Sequence, residues 1–287
     1  ELLFQLNARG QGPGEYTDIN AFAVNASLHQ LVIYDNMKQS LMFYSTEDGR
    51  FVKSEKFNKP TPAEIAYWGG YFFYHNRLHR NYQDDVSLHY YLLASKDGIT
   101  IGKRYFKHEN NKEDYPFSPS GHNLYDNNSK LYYCRDFDNI VYQIHEDSVV
   151  PRFRINLPNP LPASMIEERP NEMSLLRSGY SLGITDIYEY GGLLFFRFVK
   201  DGYIWSCLYN VEESKQVYCA KRIKFLDSSL IDTIDGIYKD CFYSILTPEY
   251  LDYAFSENPL EDYPDLFKTY DVEGDNPVIA FYRAVVR

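Results

Sequence analysis

The chain has 287 residues, a formal charge of −11 and 44% hydrophobic residues, enough for a substantial core in one large domain or two small ones. The acidic balance and the short basic runs exclude a phosphate-backbone partner, so no nucleic acid is expected. No apolar run approaches the ~20 residues of a membrane helix, so no transmembrane segment is expected either.

The aromatic content, 28 Tyr and 19 Phe against 4 Met, favours pleated, half-buried surfaces and therefore an all-β chain. The sequence opens at Glu1-Leu2-Leu3-Phe4, which reads as a strand over Leu2 to Leu6, an abrupt start that suggests a processed or truncated N-terminus. A stiff corner, "GQGPGEY" (Gly10 to Tyr16), follows. Glycine permits positive φ and Pro13 fixes its own, so the corner reads as a crossover between an outer strand and the next inner strand. It does not read as a phosphate loop, because no helix follows and no lysine has the required spacing.

Strand–turn–strand units then repeat. The first set is Ala21 to Val24, Leu31 to Tyr34, Leu41 to Tyr44 and, after the hairpin signal Glu47-Asp48-Gly49, Arg50 to Phe57. The second runs through Glu64 to Tyr67, Tyr71 to Tyr74, Leu88 to Leu93 and Ile99 to Phe106. The third covers His122 to Tyr125, Lys130 to Cys134, Ile140 to Ile144 and Val149 to Leu157. A fourth occupies Ile184 to Tyr190, Leu193 to Val199, Tyr203 to Tyr209 and Gln216 to Phe225, and a fifth holds Thr233 to Tyr238, Cys241 to Leu246 and Val278 to Val285. A period of roughly 40–60 residues is that of four-stranded propeller blades. The second strands, "LVIY", "YFFY" and "LLFF", are apolar without alternation, as expected of strands buried on both faces. The fold expected is therefore an all-β propeller of four-stranded antiparallel blades, one domain over 1–287, with helix-bearing insertions at about 158–179 and 247–277.

"GQGPGEY", the following Val32-Ile33-Tyr34-Asp35 and the ending "DNPVIAFYR" (Asp275 to Arg283) resemble the six-bladed (NHL/TolB-like) propeller lipoproteins of Bacteroides-type bacteria. The resemblance implies six blades, export to the periplasm or outer-membrane surface, and a lipid anchor outside these residues. About five blades are visible in the chain, with Leu2 to Leu6 an orphan strand or a terminal clasp beside Val278 to Val285.

Chemistry is harder to place. The cysteines Cys134, Cys207, Cys219 and Cys241 have no zinc spacing; Cys207 and Cys219 flank a hairpin and could face each other, but buried free thiols are the favoured reading. The densest polar–aromatic stretch, Tyr67 to Tyr91, offers Trp68, Tyr71, His75, His79 and Tyr82 as a rim for a glycan or peptide. The spacing of His75 and His79 lacks the glutamate of a helical metal pair, and a solvated hairpin tip explains the same residues. Asp18, Asn20, Glu64, His122, Asp186 and Asp232 stand near the starts of inner strands and are candidates for an axial channel. The expected function is a non-enzymatic exported binding or scaffold propeller without a cofactor. The alternative, by fold analogy, is a lactonase- or lyase-like enzyme holding calcium or another divalent metal at those axial positions.

Overall fold

The structure is a computed structural model. It describes residues 4–57, 61–76, 89–107, 121–127, 129–168, 170–221, 223–225, 228–231, 234–257, 270–271, 274 and 276–283. The chain divides into two compact units, one formed by residues 1–117, 122–124 and 142–152, the other by 118–121, 125–141 and 153–287.

Strands follow one another as antiparallel meanders. The first sheet is β1 (Ile19–Asn25), β2 (Gln30–Asp35), β3 (Ser40–Ser45) and β4 (Phe51–Lys56). The second is β5 (Pro62–Trp68), β6 (Tyr71–Asn76), β7 (Tyr90–Ser95) and β8 (Ile101–Lys107). The third is β9 (Leu124–Asp126), β10 (Leu131–Tyr133), β11 (Ile140–Ile144) and β12 (Val149–Arg154). Two short helices, α1 (Ala163–Glu167) and α2 (Glu172–Leu176), precede the fourth sheet of β13 (Ser181–Tyr190), β14 (Leu193–Lys200), β15 (Tyr203–Asn210) and β16 (Lys215–Ala220). A two-stranded piece, β17 (Ile223–Phe225) and β18 (Ser228–Ile231), comes next. The fifth sheet orders β19 (Gly236–Tyr238), β20 (Cys241–Leu246) and β21 (Val278–Tyr282), with α3 (Pro248–Glu257) between its last two strands. The fold class is the all-β propeller built from antiparallel blades. Its described residues carry five blades, the number visible in the sequence. The six of the resembled family are not seen among them.

Second strands behave as their composition dictates. Val32, Ile33 and Tyr34 of β2, and Phe72, Phe73 and Tyr74 of β6, are all buried. In the first unit Ala21, Val32, Tyr34 and Phe43 pack against Ile65, Phe72, Tyr74 and Leu93, with Phe57 bridging the rings of Tyr34 and Tyr74. The second unit has its own core of Tyr125, Tyr132, Ile184, Ile187, Phe195, Phe198 and Phe242. Buried tyrosines place their hydroxyls on backbone carbonyls: Tyr74 on Gly98 at 2.6 Å and Tyr188 on Asp235 at 3.0 Å. A ring is thus buried at little polar cost, which is why tyrosine can fill so much of these cores.

Two expectations need correction. Phe4 to Ala8 forms no strand, and neither an orphan strand nor a clasp is present among the described N-terminal residues. Instead Leu6 packs onto the cluster of Ile33, Met42 and Tyr44. The Gly10 to Tyr16 segment closes on itself, with the Gly10 N–H donating to the Tyr16 carbonyl and the Tyr16 N–H to that of Ala8, both at 2.8 Å. Side chains of the first sheet then pin it: Tyr44 Oη donates to the Gly14 carbonyl at 3.1 Å, and Lys38 Nζ to that of Glu15 at 2.5 Å. Proline and glycine build a compact docked loop, and Leu6 just before it lies on a sheet face.

Cys207 and Cys219 are a disulfide, not free thiols. The β15–β16 register sets them directly opposite one another. Cys134 and Cys241 keep their thiols outside any disulfide.

Candidate functional site

A cavity of about 310 Å³ in the second unit is lined by Tyr190, Gly191, Leu193, Asp240, Phe242, Tyr282 and Arg283. It arises from two tight hairpins. Tyr190 pairs with Leu193 across Gly191 and Gly192, whose φ values of 59° and 76° are those of a two-residue turn that glycine accepts without strain. Tyr238 pairs with Cys241 across Lys239 and Asp240, with Lys239 at φ 55°. Register then sets Phe242 beside Tyr282 on β20 and β21.

The walls are aromatic. Tyr190 meets Phe242 edge-on, with centroids 6.4 Å apart at 86°. Phe242 is buried, Tyr190 is 37% exposed, and Tyr282 lies between these extremes. Burial pushes the Tyr282 hydroxyl pKa up, the nearby Asp235 charge adds to this, and a hydrogen bond with Ser244 opposes it. The phenol is therefore neutral throughout the physiological range.

The rim is charged in a balanced way. Arg283 Nη2 and Asp240 Oδ2 are 2.6 Å apart, and both side chains are more than half exposed. Partial desolvation works against ionisation of Asp240, but its own backbone N–H, the Cys241 thiol and the Arg283 charge together hold its pKa below the usual range. Arg283 is raised first by its contact with Cys241 and then by Asp240. Such a rim presents a donor and an acceptor side by side above an aromatic floor.

A family model described as "Domain of unknown function (DUF4934)" matches residues 3–283. The chain belongs to the DUF4934 family. No curated protein matches it. A protein named as exported, from Bacteroides fragilis NCTC 9343, is similar in structure, with a TM-score of 0.74 at 16% identity over 96% of this DUF4934 chain and 80% of its own. A member of the DUF4221 family from Bacteroides vulgatus ATCC 8482 gives 0.52 at 11% identity, over 96% and 81% of the two chains. At these identities the likeness carries the fold alone.

The DUF4934 chain distributes the sequence-derived candidates widely. Trp68 and Tyr71 face each other across the turn that ends β5. His75 lies at the other end of β6, buried, with Glu64 opposite in register. The structure therefore does not bring His75 to the same rim as Trp68 and Tyr71. His79 and Tyr82 lie outside the described residues, as does Asp232. Tyr71 has Lys103 Nζ over its ring at 4.5 Å and Lys96 Nζ at 5.3 Å.

Among the axial candidates, Glu64 receives the backbone N–H groups of Asn123 at 2.6 Å and Leu124 at 2.9 Å. His122 Nδ1 stands 4.0 Å from the same carboxylate and is largely exposed. Asn20 donates to the Pro62 carbonyl at 2.6 Å, and Asp18 is exposed. Asp186 sits in a bulged part of β13 at φ 53° and accepts from Thr185 Oγ1 at 2.6 Å and Arg197 Nε at 2.8 Å. Glu64, Asn20 and Asp186 thus fasten backbone and arginine. Among the described residues no three His, Cys, Asp or Glu side chains gather around a point where a metal could sit.

The residues that line the cavity were not singled out from the sequence. Arg283 ends the "DNPVIAFYR" stretch and Gly191-Gly192 is a visible turn, but nothing in the order of residues links them. Register within the fifth sheet brings positions 240 and 283 together, and the neighbouring fourth sheet brings up position 190.

Proposed function

We propose that this chain is an exported, non-enzymatic binding propeller whose ligand, a glycan or a peptide, occupies the cavity walled by Tyr190, Phe242 and Tyr282. The observation that carries the reading is the combination of aromatic walls with a paired donor and acceptor at the mouth. Pockets of this kind bind by apolar contact and orient by a few polar groups. Export is supported by the name of the Bacteroides fragilis neighbour and by the Cys207–Cys219 disulfide, since such bonds persist in oxidising compartments. Among the described residues no helix is long and apolar enough to cross a membrane.

Calorimetric titration of the purified chain with oligosaccharide and peptide panels tests this. A ligand whose affinity falls at least about tenfold in Tyr190→Ala, with folding intact by circular dichroism, is the expected result. Binding that ignores the substitution, or no binding across both panels, overturns the reading.

A further inference from the structure

We infer that the cavity takes a neutral sugar ring, in preference to a charged sugar or a peptide side chain; this rests on the reading that the cavity is the ligand site. Three observations point the same way. The first is size: about 310 Å³ is at the small end for ligand pockets and matches one ring-sized group. The second is shape and polarity of the walls. Tyr190 is 37% exposed and lines the cavity, so a flat group with an apolar face can lie against its ring, which Phe242, 5% exposed, backs edge-on at 86°. The C–H face of a pyranose has that form, and its hydroxyls radiate from the edge.

The third observation, the rim, decides the class. Asp240 and Arg283 already neutralise each other at 2.6 Å. A carboxylated ligand approaching Arg283 must also face the Asp240 carboxylate, and it approaches a chain of net charge −11. A cationic ligand meets the converse problem at Arg283. Either meets a like charge beside its partner and so gains less than it would from an unpaired group. A neutral polyol needs no such exchange. Its hydroxyls accept from further N–H groups of the guanidinium and donate to the carboxylate. An apolar peptide side chain would fill the walls equally well, but it would cover the rim without answering its hydrogen bonds, a loss that polar sites do not tolerate cheaply.

The test uses the full chain and three probe sets: neutral hexose oligomers, uronic-acid oligomers of matched length, and tripeptides carrying Pro, Tyr or Trp. Neutral oligomers are expected to bind, with affinity nearly unchanged between low and high salt because no net charge is matched. Tyr190→Ala and Asp240→Asn are each expected to weaken that binding about tenfold, the size of one lost stacking or charge-assisted contact. Asp240→Asn is also expected to raise the relative affinity for uronic-acid oligomers, since the repelling carboxylate is gone. Circular dichroism and a thermal melt check that both variants fold. Uronic-acid oligomers or peptides bound in preference, and lost in Tyr190→Ala, would overturn the sugar inference while leaving the cavity as the ligand site. Neutral oligomers that bind equally well to both variants would overturn the cavity reading itself. Silence of all three sets overturns both.

Discussion

The β5–β6 and β13–β14 hairpins turn on the same dipeptide, Gly69-Gly70 in one and Gly191-Gly192 in the other, and both place an aromatic residue just before it, Trp68 or Tyr190. Their surroundings differ. At the first, Glu146 reaches within 3.0 Å of where a Cβ on Gly69 would stand, and two lysines cover the Tyr71 ring. At the second, Glu212 likewise reaches within 3.1 Å of where a Cβ on Gly192 would stand, but the turn borders a cavity and Tyr190 is 37% exposed. At the first hairpin the Tyr71 ring is covered by lysines of its own chain. A cluster of aromatics is therefore not a binding site by composition. What separates the two is whether neighbouring side chains have already covered the rings.

If the first hairpin is structural, substitutions around it change stability and leave ligand affinity alone. The largest effect is expected at Tyr74, which is 1% exposed and carries its hydroxyl to Gly98. Tyr74→Ala removes a full ring and strands a carbonyl, and should cost about 3–5 kcal/mol in urea unfolding. A loss under about 1 kcal/mol would mean that the core can relax there, and the contrast between the two hairpins would weaken.

A smaller effect, with a pH signature, is expected at the docked loop. Burial raises the Tyr44 pKa from 10.0 to about 12, with the Tyr16 and Asp35 charges adding to it. The raised value means that the folded state favours the neutral phenol. That contribution is complete below the unfolded pKa near 10 and is lost as pH climbs through about 12. Tyr44→Phe keeps the ring, loses the bond to the Gly14 carbonyl, and should cost about 1 kcal/mol at neutral pH. It should also flatten the alkaline decline in stability that Tyr44 is expected to cause between about pH 10 and 12. An unchanged alkaline limb would show that Tyr44 does not titrate in concert with loop release.

The same contrast explains how much could be read from the residues alone. The blades were legible because "LVIY", "YFFY" and "LLFF" announce doubly buried strands. The lack of a strand at Phe4 to Leu6 was not, because apolar residues look alike whether they join a sheet edge or lie on a sheet face; Leu2 and Leu3 are outside the described residues. The cysteine pair turned on register: Cys207 and Cys219 meet only because β15 and β16 align them. The cavity depends on two separate sheets meeting. Tyr190, Asp240 and Arg283 are each common turn or end residues, and no spacing rule marks three positions spread over about 90 residues. His75 shows the reverse error of local reading, since a histidine in a polar run was assigned to a rim and the strand carries it into the interior.

The smallest expected effect is the most direct test of the opening contrast. Lys103 sits over the Tyr71 ring and also donates from Nζ to the Glu146 carbonyl at 2.8 Å. A cation over an exposed ring contributes about 0.5–1 kcal/mol, so Lys103→Ala should lower stability by about that amount. It should also uncover one face of Tyr71 without creating the donor–acceptor rim that Arg283 and Asp240 supply elsewhere. Ligand titrations of this variant are therefore expected to match the unmodified chain. A new binding event in Lys103→Ala, dependent on Tyr71, would show that an open ring suffices and that the charged rim is not what sets the cavity apart.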